Sequence, residues 1–209
     1  DSLKCLSLFI QKSRQLFDFD YSYVFRCCGL VNDIEIPLDN NIFDSAMCCL
    51  ISIAESSDQG FAMFKAHVDI NIIIHRMLSE YHSITEQKRA VVILNTYIRL
   101  SKETGETRES IVSSMNLAEV TTFLVQLLDL EDVKVVEEIF KCFEFFEGGE
   151  IEDHDQISNE FNAMLEENDG WATIFTLSNN ENTKLANLAT YFTCSHADLG
   201  PLPPDEDES

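Results

Sequence analysis

Met47-Cys48-Cys49-Leu50-Ile51-Ser52-Ile53-Ala54-Glu55-Ser56 and Val91-Val92-Ile93-Leu94-Asn95-Thr96-Tyr97-Ile98-Arg99-Leu100 are the stretches on which the reading of this sequence turns. Laid over each other, and over Leu3 to Lys12, they bring Leu6, Leu50 and Leu94 into register, each 44 residues after the last. Their apolar residues recur at helical intervals, the mark of a helix with one buried face. Each of the two later stretches opens a group of three helical patterns: 41–56, 58–67 and 69–82, then 85–101, 106–115 and 117–129. The period therefore describes a three-helix unit of about 42–47 residues. No unit of that size buries its apolar face alone, so neighbours must stack around one continuous core.

Outward from these groups, helix-period spacing continues through 3–16, 21–31, 132–147, 155–168, 170–178 and 181–192. The connections are short, marked by Asp39-Asn40-Asn41, Ser56-Ser57-Asp58 and Glu103-Thr104-Gly105. Gly148-Gly149 is expected to stop the helix that ends near Glu147. With 7 Gly and 4 Pro in 209 residues, turn formers are too scarce for a fold of many short strands. The expected class is all-α, as an armadillo-repeat right-handed superhelical solenoid, with an irregular helical bundle of chance period as the competing reading.

The 37 acidic and 14 basic residues leave a net charge of -23. Such a surface lacks the clustered Lys and Arg that displace counterions from nucleic acid, so that partner is excluded. A basic peptide or protein is the natural electrostatic complement, and solubility of an apolar-rich chain is the alternative reading of the same charge. Seven cysteines, Cys5, Cys27, Cys28, Cys48, Cys49, Cys142 and Cys194, lie mostly among apolar neighbours, as buried small residues do in a reducing compartment. No apolar run has the roughly 18 residues of a membrane span, and no membrane partner is expected.

Little points to chemistry. The pairs Cys27-Cys28 and Cys48-Cys49 are adjacent, so the members of each pair point to different helix faces, and His67, His75, His82, His154 and His196 are dispersed; neither pattern makes a metal site. Gly148-Gly149 has no strand before it and is not a phosphate loop. No cofactor and no enzyme activity are expected; a helical enzyme using a Cys/His pair stays open as an alternative, because such partners meet in space. Phe140, Phe143 and Phe146, at helical spacing, read as core.

The C-terminal half carries a family resemblance. Val120-Thr121-Thr122-Phe123-Leu124-Val125-Gln126-Leu127-Leu128, Asp132-Val133-Lys134-Val135-Val136 and Gly149-Glu150 resemble the penultimate repeat of importin-alpha. Met164-Leu165-Glu166-Glu167-Asn168-Asp169-Gly170-Trp171, Asn180-Glu181-Asn182, Leu185-Ala186 and Tyr191-Phe192 resemble that family's truncated last repeat. Upstream, Lys88-Arg89-Ala90, Arg108-Glu109-Ser110-Ile111-Val112 and the stretch from Asp44 to Glu55 are similar in order and spacing.

The resemblance implies an armadillo array over 1–192, a partial first repeat and about four more, followed by an acidic tail over 193–209. Its Pro201-Leu202-Pro203-Pro204-Asp205-Glu206-Asp207-Glu208 is expected to be disordered. In the family, third helices line a concave groove where Trp stacks on Lys and Arg, and Asn one turn away holds the peptide backbone. Here the Trp-equivalent positions hold Lys4, Cys48, Val92 and Lys141, and the Asn-equivalent positions Leu8, Ser52, Thr96 and Phe145. Asn95 stands one position from its expected place. Without indoles, and with Lys4 and Lys141 repelling cations, the family's signal-peptide chemistry is not expected of this segment.

A candidate partner surface is instead the acidic region of Glu137, Glu138, Glu144, Glu147, Glu150, Glu152, Asp153 and Asp155, extended by Glu166, Glu167 and Asp169, with a solvated face as the alternative. The sequence reading is thus of a nuclear import adaptor-like scaffold in cytoplasm and nucleus, binding basic cargo or, as the resemblance implies, the recycling exportin. An armadillo or HEAT scaffold outside nuclear transport is the alternative. The sequence opens at Asp1 within a helical pattern and is read as part of a longer protein.

Overall fold

The computed structural model describes residues 40–78, 83–148 and 156–195. The described residues are helical, with no strand among them. The helices are α1 Asn40–Ala54, α2 Asp58–His67, α3 Ile70–Met77, α4 Ile84–Glu103, α5 Arg108–Ser113, α6 Leu117–Leu128, α7 Val133–Glu147, α8 Gln156–Glu167, α9 Gly170–Ser178 and α10 Thr183–Ser195. The all-α expectation holds. The helical patterns at 3–16 and 21–31 lie outside the described residues, as do 149–155 and the chain from 196 onward.

Local chemistry sets the starts and stops. The Ser57 hydroxyl accepts from Gly60 N at 3.1 Å, and the Asp69 carboxylate accepts from Asn71 N at 2.9 Å. Ser83 and Glu86 form a reciprocal capping box, which begins α4 at Ile84. The Asp132 side chain accepts from the N–H groups of Lys134 and Val135, so α7 starts one residue later than the apolar pattern indicates. Gly148, at φ 89°, ends α7 in the left-handed cap its position predicts. Asn180 and Asn182 side chains accept from Asn182 N and Lys184 N, holding a turn where the pattern predicts helix, and α10 then continues to Ser195, past residue 192.

Two compact units divide the chain, Asp1–Phe123 and Leu124–Ser209. In the first, α1 packs on α2 and α4, and α4 also packs on α3 and α5. Leu50 and Leu94, the pair that set the register, are both fully buried. Gly60 lets α2 approach α1, since a β-carbon there would overlap the carbonyl oxygen of Ile53. Polar ties join residues of similar rank in the two helix groups. Arg89 Nε donates to Asp44 Oδ1 at 3.0 Å across 45 positions, and Arg99 Nη2 to Glu55 Oε1 at 2.7 Å across 44. Lys65 Nζ donates to Glu106 Oε1 at 2.6 Å across 41. Asn71 donates to Ser114 O at 3.0 Å across 43 and accepts from Asn116 N at 2.6 Å across 45.

In the second unit, α7 packs on α8 and α10, and α9 on α8 and α10. Its core is aromatic. Phe140 stacks on Phe192 with ring centroids 4.8 Å apart, Phe143 meets Phe161 at 5.2 Å, and Phe146 meets Phe161 at 5.4 Å. Phe140, Phe143 and Phe146 are core residues as their spacing predicts. Trp171 is buried and stacks on Phe192 at 6.0 Å, a packing role.

Candidate functional site

The groove-equivalent positions of α1 and α4 separate into two layers. A stripe of Asp44, Cys48 and Ile51 runs along the accessible side of α1 and continues to Glu55 just past its end, and Lys88, Val92, Asn95 and Arg99 run along that of α4, each residue 44 positions from its counterpart. Cys48 and Val92 lie on this stripe, half-buried. Ser52 and Thr96 lie beneath it, 3% and 6% exposed, and the Ser52 hydroxyl donates back to Cys48 O at 2.8 Å. Asn95, not Thr96, shares the accessible face with Val92. Lys4 and Leu8 lie outside the described residues.

The corresponding pair on α7 behaves differently. Phe145 is buried with its ring 5.4 Å from that of Phe146. Lys141 is exposed, but its ammonium donates to Glu138 Oε1 at 2.7 Å and lies 3.8 Å from Glu137 Oε1. The hydrogen bond to Glu138 raises the Lys141 pKa above its ordinary value, against the opposing effect of partial burial. Its charge is thus met by carboxylates of its own helix.

Of the candidate acidic surface, Glu137, Glu144, Glu166, Glu167 and Asp169 are exposed, and Glu138 and Glu147 are half-buried. Glu150, Glu152, Asp153 and Asp155 lie outside the described residues. The unit boundary reveals an imbalance. Leu124–Ser209 contains 21 acidic and 3 basic residues, a net -18, whereas Asp1–Phe123 contains 16 and 11, a net -5. By sequence the second unit is therefore strongly acidic, and the first much less so.

Burial pushes the Cys49 thiol up to about 11, with Cys48 adding to the effect, and burial raises Cys142 further. Both thiols stay protonated at neutral pH, unlike an activated nucleophile. Among the described residues no group of three His, Cys, Asp or Glu side chains is placed to hold a metal ion, and no helix is long and apolar enough to cross a membrane.

No protein family, curated protein or solved structure matches the chain.

One open cavity of about 450 Å³ in the first unit is lined by Lys65, His67, Asp69, Asn71, Tyr97 and Ser114 among others. Its polar groups largely serve the fold: Lys65 is held by Glu106, Asn71 by the backbone at Ser114 and Asn116, and the Tyr97 and Ser114 hydroxyls by each other at 3.0 Å. Sequence reading did not single out Asn71 or Lys65, because nothing local marks a side chain that acts about 44 residues away. The charge imbalance was legible by counting once a boundary is placed near residue 124.

Proposed function

We propose that this chain is a protein-binding scaffold of stacked helical repeats, of the armadillo type wound as a right-handed superhelical solenoid, which recognises a basic partner without catalysis. The observation that carries the reading is the spacing of the polar ties in the first unit, 41 to 45 positions, which is what neighbouring copies of one unit of about 44 residues produce when they stack. The partner's chemistry follows from the -18 of the second unit, whose exposed carboxylates Glu137, Glu144, Glu166 and Glu167 favour a Lys/Arg-rich surface and disfavour phosphate backbones and anionic lipid.

The resemblance of 117–192 to the last importin-alpha repeats supports a role as a nuclear import adaptor acting between cytoplasm and nucleus, with the recycling exportin as a further partner. The test is direct binding of the full chain to that exportin. A saturable complex supports the adaptor role. Binding to basic peptides without binding to the exportin shifts the reading to a repeat scaffold of another interaction system, which the missing Trp and Asn pairs at Cys48, Ser52, Val92 and Thr96 favour.

A further inference from the structure

We infer that the α9–α10 hairpin is a docking surface for a Lys/Arg-rich segment of a partner protein, with Phe175 and Tyr191 as the platforms on which its cationic side chains lie. This rests on the basic partner proposed above. Among the described residues the large apolar side chains left exposed are Ile84, Phe175 and Tyr191, at 54%, 47% and 68%; the last two stand on helices packed against each other. They are not leftovers of a poor core. The inward stripe is filled by Trp171, Ile174 and Leu177 on α9 and Leu185, Ala189 and Phe192 on α10, all buried.

Charge selects the occupant. Glu166, Glu167 and Asp169 are exposed just before α9, Glu181 is exposed in the turn after it, and Lys184 is the sole cation of the hairpin. Exposed carboxylates thus precede and follow α9 in the chain, a charge that complements Lys and Arg and adds long-range attraction to cation–π contact.

The test titrates the full chain with a fluorescent nine-residue peptide of alternating Arg and Lys, and with its Glu counterpart as control. Phe175→Ser/Tyr191→Ser is expected to weaken the basic peptide about tenfold with an unchanged salt slope, while Tyr191→Phe binds as the parent does. Each single serine substitution, expected to cost about threefold, decides the matter if the double variant does not fold. Parent binding that survives both serine substitutions intact overturns the hairpin as the docking surface and leaves the basic-partner reading standing. A parent chain that binds neither peptide, or binds both equally, overturns both.

Discussion

Arg99 donates from Nη2 to Glu55 Oε1 at 2.7 Å, and the two residues are 44 positions apart. The pair marks the register of α1 against α4 more than it holds it, because both side chains are nearly half exposed and such pairs contribute about 0–1 kcal/mol. Leu50 and Leu94, fully buried with the same separation, carry the packing.

Removing the marker and removing the packing should therefore differ in size. Arg99→Ala is expected to cost under about 1 kcal/mol, and Leu94→Ala about 2–5 kcal/mol, read by urea denaturation followed at 222 nm. Equal losses would refute that division.

Asn71 clasps the backbone of the following helix group with both ends of its amide. Asn71→Ala leaves the Ser114 carbonyl and the Asn116 N–H without this partner at a partly solvated site, for an expected loss of about 1–2 kcal/mol. Faster hydrogen exchange at the Asn116 amide is the specific signature. An unchanged exchange rate there would count against the clasp.

Phe143 contacts Phe140, Phe161 and Phe192 from the centre of the second unit. Phe143→Ala should cost about 3–5 kcal/mol through the cavity it leaves. Phe175→Ala, on the exposed face, should cost under about 0.5 kcal/mol. Thermal denaturation followed by Trp171 fluorescence distinguishes them.

The thiols make a prediction with a definite sign. An unfolded cysteine titrates near about 8.5, and burial raises Cys49 to about 11 in the fold. The folded state thus holds its proton more tightly. This contribution is full below about pH 8.5 and is lost as pH rises toward 11. Cys49→Ala should flatten the decline of stability over that window. At pH 8 a thiol reagent should modify exposed Cys194 far faster than Cys49 or Cys142; equal rates would contradict their burial.

Much of the fold is legible in the sequence because apolar period and capping chemistry agree. The expected 58–67 and 170–178 match α2 and α9, and Gly148 stops α7 as its lack of a β-carbon permits. Boundaries shift where a side chain intervenes, as Asn180 and Asn182 do before α10. Site geometry is less legible. Repeat register alone does not say that Ser52 and Thr96 lie under the accessible stripe while Asn95 stands on it. One residue of helical rotation, about 100°, decides that, and the decision belongs to packing between elements.

The claim that the second unit is the binding face has a direct measurement. Two variants with the same change of charge, Glu166→Gln/Glu167→Gln in the second unit and Asp58→Asn/Glu109→Gln in the first, are titrated with the Arg/Lys peptide across a salt series. All four side chains are exposed. The account predicts that the first variant weakens binding severalfold at low salt and reduces the slope of affinity against salt, while the second binds as the parent does. Equal losses in the two variants, or an affinity of the parent chain that salt leaves unchanged, would contradict it.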